Sequence, residues 1–153
     1  MSEDKSTAND GATEQSGQSR DSRGELMNQS ARERGLALLE RMLGAERAQA
    51  TREAWLRLAP DFERYVIEFL SGEIWSRPQL ELKIKSLCTI TALAALGRQQ
   101  GLELNIRMAL KNGATREEII EALLHIAPYA GFPACWEGLV IADRVFKEEN
   151  GES

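Results

Sequence analysis

One side chain in this sequence has an ordinary pKa near neutrality: His125, the single histidine among 153 residues. Its neighbours are apolar, Leu123 and Leu124 before it and Ile126 and Ala127 after it. Glu121 precedes it by four residues and Tyr129 follows it by four, steps that put all three on one helix flank. There the carboxylate can orient the imidazole and the phenol can donate a hydrogen bond, an arrangement suited to moving a proton. The same spacing also describes a core histidine satisfied by one neighbour, and spacing alone leaves both readings open. A second group, Glu73, Trp75, Ser76 and Arg77, falls in a short segment between apolar stretches. Arginine clamps a carboxylate through two parallel hydrogen bonds, and tryptophan walls a pocket. Loop packing with a surface ion pair would use the same residues. Lys83 and Lys85 read as a solvated face. Cys88 sits in the most apolar stretch, where thiols are usually inert. Cys135 follows Pro133 near an expected helix start, where the dipole lowers a thiol pKa. Both suit structural roles, and both are the candidates for any redox chemistry. There is no glycine-rich phosphate loop, no G-x-S-x-G and no metal-ligand cluster.

Helices must position these groups. Ser30 is placed to cap a helix carrying Leu36, Leu38, Leu39 and Met42, with Gly44 at its end. A second helix is predicted over residues 48–58. Pro60 and Asp61 open a third, in which Phe62, Tyr65, Val66, Phe69 and Leu70 recur at three- and four-residue steps. Gly72 is its expected terminator, and residues 72–78 its following loop, because Pro78 disfavours helix at Arg77. The longest helix is expected over 79–96. Its second half, from Ser86 on, carries no charge, so it should be surrounded by other helices or by another subunit. A shorter helix spans 102–110 before Asn112-Gly113, a good left-handed stop. Thr115 and Glu118 have capping-box spacing ahead of a stripe of Ile119, Ile120, Leu123, Leu124 and Ala127. Gly131 and Pro133 turn the chain into a last helix through Phe146. No segment reads as a strand, so the fold is all-α.

Composition bounds the rest. Residues 1–30 contain only Met1, Ala8, Ala12, Leu26 and Met27 from the hydrophobic class, and read as a disordered tail ahead of one helical domain over 31–150. A net charge of −5 with dispersed acidic residues argues against nucleic acid, which needs a basic stripe. The polar opening residues are unlike a secretory signal, and the nearly uncharged run over 86–97 is too short to span a bilayer. Two cysteines 47 positions apart make neither a disulfide framework nor a zinc site, which leaves a reducing cytoplasm as the default.

Several motifs in order then carry a family resemblance. Gly72-Glu73-Ile74-Trp75-Ser76-Arg77-Pro78, the segment 85–98 from Lys85 through Leu96-Gly97-Arg98, the segment 107–119 containing Lys111-Asn112-Gly113-Ala114-Thr115, and Leu123-Leu124-His125-Ile126-Ala127-Pro128-Tyr129-Ala130-Gly131-Phe132-Pro133-Ala134 closely resemble the carboxymuconolactone decarboxylase family. The similarity covers about residues 33–147. It implies an alkylhydroperoxidase D-like all-α bundle that assembles through its helices as a homo-oligomer, a trimer or hexamer. Alkylhydroperoxidase D-like members use a C-x-x-C-x-x-x-H redox centre. The matching frame here reads Arg98, Gly101 and Asn105, so the thiol-dependent peroxidase chemistry of that branch loses its residues. Decarboxylase members typically keep a histidine where this chain has Asn105, and often have one where it has His125. The implied activity is a cofactor-independent decarboxylase acting on a small carboxylated lactone, in aromatic-compound catabolism or a related pathway, with no metal. In that scheme Arg77 clamps the carboxylate and Asn105 donates to the enolate oxygen. His125 delivers the proton, oriented by Glu73 or Glu121, and Trp75 and Tyr129 line the pocket. A thiol-dependent activity through Cys88 or Cys135, and a non-catalytic helical binding module, are the alternatives.

Overall fold

The computed structural model describes residues 30–151, and these contain helices and no strand. The tail expected over 1–30 lies outside the described residues except for Ser30. That residue caps α1 (Ala31–Leu43) in a reciprocal box: its Oγ accepts from Glu33 N–H at 3.2 Å, and its own N–H donates to Glu33 Oε2 at 2.7 Å. Gly44, at φ +83°, separates α1 from α2 (Ala45–Leu58). Pro60 takes the first position of α3 (Pro60–Arg64), where its missing N–H costs nothing.

From Tyr65 the chain widens into a π-helix that runs to Trp75, closed by Ser76 N–H donating to Ser71 O five residues back at 3.1 Å. Gly72 therefore does not stop the helix, and Glu73 and Trp75 are helical rather than in a loop. The reason is close packing. A Cβ on Gly72 would lie 1.9 Å from Ala31 O, and one on Gly35 would lie 1.9 Å from Ile67 O. The two glycines let α1 and the π-helix touch backbone to backbone, a requirement invisible to a reading of glycine as punctuation.

After the turn at Pro78 come α4 (Leu82–Ala95), α5 (Gln99–Lys111), α6 (Arg116–His125), a single turn α7 (Ala127–Ala130) and α8 (Phe132–Glu149). Thr115 and Glu118 form the second capping box as expected. Two apolar cores result. Ile90, Leu102, Ile106, Ile119, Leu123, Ile141 and Val145 join α4, α5, α6 and α8. Leu38, Leu39, Met42, Ile67 and Trp75 join α1 to the π-helix, and Met108 of α5 reaches into this second core. So α5 is the shared wall. The uncharged face of α4 is not enclosed by its own chain: Ser86, Ile90 and Ala94 are buried, whereas Cys88, Ala92, Ala95 and Leu96 are exposed. Cys88 is thus not the buried thiol its apolar context suggests, because helix phase turns it outward. Cys135, in the first turn of α8, is the buried one.

Candidate active site

The C-terminus of the π-helix, α1 and the start of α4 enclose a cleft of about 580 Å³. The π-helix delivers Trp75, Ser76 and Arg77; α1 presents Arg34 and Arg41, two turns apart on one face; Glu81, Lys83 and, from the end of α5, Asn112 complete it. Several of these contacts hold the lining in place. Ser76 Oγ donates to Gly72 O at 2.5 Å. Arg34 Nε donates to the same carbonyl at 3.1 Å, so α1 and the π-helix end are bonded where they meet. Lys85 is no solvated lysine: its Nζ donates to Trp75 O at 2.6 Å and Arg77 O at 2.5 Å, satisfying carbonyls that the helix leaves open. Burial, and then the Arg77 charge, hold the Lys85 ammonium below the usual lysine range. Lys83 pairs with Glu118 at 2.9 Å, which ties α4 to α6. That hydrogen bond raises the Lys83 pKa and, with the Thr115 backbone N–H, lowers that of Glu118.

The lining holds Arg34, Arg41, Arg77 and Lys83 with one carboxylate, Glu81, and Lys83 is further paired with Glu118, although the chain as a whole is at −5. A positive cleft with an indole wall suits a small organic anion. Of these lining residues, the sequence singles out Trp75 and Arg77 but not Arg34, Arg41 or Asn112. The signal for Arg34 and Arg41 was present in the seven-residue spacing on α1, but arginine on a helix face also reads as solvated surface.

The other expected residues lie elsewhere. His125 ends α6 and is exposed, and its ring meets that of Tyr129 at 5.4 Å between centroids, tilted by 54°. Those two are together as expected, although a helix break separates them, but neither lines the cleft. Glu73 is exposed on the π-helix. Asn105 is half-buried, with Nδ2 donating to Gly101 O of its own helix at 2.8 Å. Beside the histidine runs an exposed apolar surface of Leu124, Tyr129, Phe132, Trp136 and Val140. Among the described residues no group of three or more His, Cys, Asp or Glu could hold a metal ion, and no helix is long and apolar enough to cross a membrane.

Known proteins share this sequence pattern. The chain is 37% identical over 123 residues to the 4-carboxymuconolactone decarboxylase of Acinetobacter baylyi, an alignment covering 80% of this chain and 92% of that protein. It is 33% identical over 120 residues to the nitrosuccinic acid decarboxylase npaB of Metarhizium robertsii, covering 74% of this chain and 80% of that one. The sequence profile of the carboxymuconolactone decarboxylase family matches residues 60–144, from the start of α3 through most of α8. By this match and by the first of those relatives, the chain belongs to the carboxymuconolactone decarboxylase family.

Proposed function

We propose that this protein is a cofactor-independent decarboxylase of a small carboxylated lactone, acting in the cytoplasm in aromatic-compound breakdown or a related route. The observation that carries the reading is the cationic cleft whose lining Arg77 and Trp75 share with Arg34, Arg41 and Lys83. Two relatives named as decarboxylases point the same way, and the two free thiols suit a reducing compartment.

The reaction needs no external electron sink. When a γ-carboxylated butenolide loses CO2, the bonding pair flows through the ring double bond into the lactone carbonyl, and protonation at carbon completes the turnover. The leaving carboxylate loses its charge on the way to CO2. A guanidinium clamped on it therefore favours the bound substrate over the transition state, and Arg77 acts mainly on binding. The proton comes from His125, oriented by Glu121 of its own helix or by Glu73, with Tyr129 beside the ring.

His125 lies outside the cleft of its own chain, so the reading requires an assembly. The exposed Leu124, Phe132, Trp136 and Val140, together with the exposed Ala92 and Ala95 of α4, support a homo-oligomer of three or six chains in which these surfaces are covered. CO2 release from γ-carboxymuconolactone tests the reading. His125→Ala should lower turnover by about 10²–10⁴-fold, while a Cys88→Ser, Cys135→Ser double variant stays active. Undiminished turnover in His125→Ala would remove the histidine from the mechanism. A double variant that dies, with the parent consuming hydroperoxide at the expense of a thiol, would replace decarboxylation by the redox alternative.

A further inference from the structure

The end of the π-helix carries both the indole wall and the carboxylate clamp of the cleft, and the two are held differently. Trp75 is anchored twice: its indole is buried in the second core, and its carbonyl is bonded to Lys85. Arg77 is exposed, and among the described residues its guanidinium has no ion pair or hydrogen bond. Its N–H meets Ile74 O only at 3.4 Å, near the limit of a hydrogen bond. The firm tie is at its carbonyl, which Lys85 Nζ meets at 2.5 Å while meeting Trp75 O at 2.6 Å. One ammonium thus bridges the carbonyls on either side of Ser76. Lys85 does not line the cleft, and among the described residues no carboxylate pairs with it. It stands in the first turn of α4, next to the buried Ser86, so the bridge fastens the π-helix end to the second half of the molecule.

We propose that Lys85 is the positioning residue of this site: by bridging Trp75 O and Arg77 O it fixes the backbone from which Arg77 reaches the substrate carboxylate. This rests on the decarboxylase reading and extends it to a residue outside the cleft lining. The lysine's place is otherwise unfavourable. The first turn of a helix disfavours a cation through its dipole. Burial, and then the neighbouring Arg77, also disfavour the charge. Two short bonds to carbonyls at the C-terminal end of the π-helix, the end with partial negative charge, offset these costs. The Arg77 side chain keeps its rotamers, but its main chain is held at the carbonyl by Lys85 and restricted by Pro78 beyond it. A clamp with a fixed base loses less freedom when it closes on a carboxylate. Lys85 therefore acts through Arg77, and on binding rather than on the steps that follow.

The test is a double-mutant cycle between Lys85 and Arg77 in the full chain, with γ-carboxymuconolactone as substrate. Lys85→Met, similar in length but unable to donate, should raise KM about tenfold with kcat little changed. In an Arg77→Ala background the same substitution should change KM by less than about twofold, because the clamp it positions is gone. Lys85→Arg, which keeps the charge and offers paired donors, should recover most of the affinity. Lys85→Gln, shorter and uncharged, should fall between, and it carries the cycle if the methionine variant melts early. A lysine that only stabilises the fold would lower the melting temperature in both backgrounds and leave KM alone. That result, or an equal rise in KM with and without Arg77, would overturn the inference and leave the decarboxylase reading intact. A parent that releases no CO2 would remove the decarboxylase reading. The same cycle then runs on the dissociation constant of γ-carboxy-γ-butyrolactone, a lactone acid without the ring double bond. Coupling there keeps the role of Lys85 in anion binding, whereas additive effects, or no binding by the parent, overturn it.

Discussion

The N-terminal helices and the C-terminal bundle are built on different physics. Around α1, α2 and the π-helix, a smaller apolar core is supplemented by contacts of backbone and charge. Gly35 and Gly72 bring main chains into contact, and a buried carboxylate, Glu63, receives Arg32 at 3.1 and 3.2 Å and Arg52 at 3.0 Å. Around α4, α5, α6 and α8, interdigitated aliphatic chains form the larger core. Even the tight spot at Gly138 there involves a side chain: an added Cβ would lie 2.9 Å from Leu123 Cδ2. Side chains can shift to absorb a change, whereas paired backbones and a buried ion cannot. The cationic cleft is built mainly on the first half, with Lys83 of α4 and Asn112 at the end of α5 closing it from the second. His125, at the end of α6, sits on the half whose outer face is apolar and exposed. The lesson is that the cleft-lining charges are set within one chain, whereas the single histidine lies apart from them on an exposed surface.

The largest effect should come from breaking the backbone contact. Gly72→Ala puts a methyl 1.9 Å from Ala31 O, where neither atom belongs to a movable side chain. Overpacking typically costs about 1–3 kcal/mol, and a backbone clash belongs at or above the top of that range. We expect a loss of about 3 kcal/mol or more by urea denaturation, together with weakened binding of carboxylated lactones, because α1 carries Arg34 and Arg41. The equivalent change in the aliphatic half, Gly138→Ala, should cost less, since Leu123 can give way. Equal losses at the two glycines would contradict the contrast between the halves.

This contrast also explains what was legible in the sequence. Helix starts announce themselves locally, and Ser30 with Glu33 and Thr115 with Glu118 both form the capping boxes their spacing implies. The all-α class and the resemblance to the family were equally open, since they rest on periodicity and ordered motifs. The π-helix was not, because its cause is the approach of α1 from more than 30 residues away in sequence. Gly72 looks the same whether it ends a helix or admits a neighbour. Helix phase hid the exposure of Cys88, and tertiary folding hid the meeting of Asn112 with Ser86. Arg77 and Trp75 were readable as a pair because they are two residues apart in sequence; their separation from His125 was not.

A smaller effect is expected at the buried ion cluster, and it carries a pH signature. Burial pushes the Glu63 carboxyl up, but hydrogen bonds from Arg32 and then Arg52 outweigh it and hold the group below its ordinary value of 4.5. A carboxyl lowered by folding contributes stability that is fully present above its unfolded pKa and is lost as pH falls through the folded one. Glu63→Ala should therefore cost about 2–3 kcal/mol at pH 7, below the full penalty for a broken buried pair because both guanidiniums reach solvent. The gap between parent and variant should narrow as pH drops below 4.5, where the parent protonates. Denaturation midpoints at neutral and acid pH check this, and a gap that stays constant would mean that Glu63 acts through packing rather than charge.

The smallest effect on the folded chain should come from the exposed surface, and there it separates chain stability from assembly. Trp136 is 67% exposed, with Phe132 and Val140 close by along α8. Trp136→Glu removes no buried contact of comparable size within the chain, and surface changes of this kind stay within about 0.5 kcal/mol. At a covered subunit contact the same carboxylate would be desolvated without a partner, at a cost of several kcal/mol per site. We therefore expect an unchanged melting transition extrapolated to low protein concentration, a sedimentation coefficient falling to that of a single chain, and loss of CO2 release as His125 leaves the neighbouring cleft. Loss of assembly with full activity would place the proton donor within one chain. Retained assembly would move the subunit contact to another surface, with the exposed Ala92 and Ala95 of α4 as the next positions to charge.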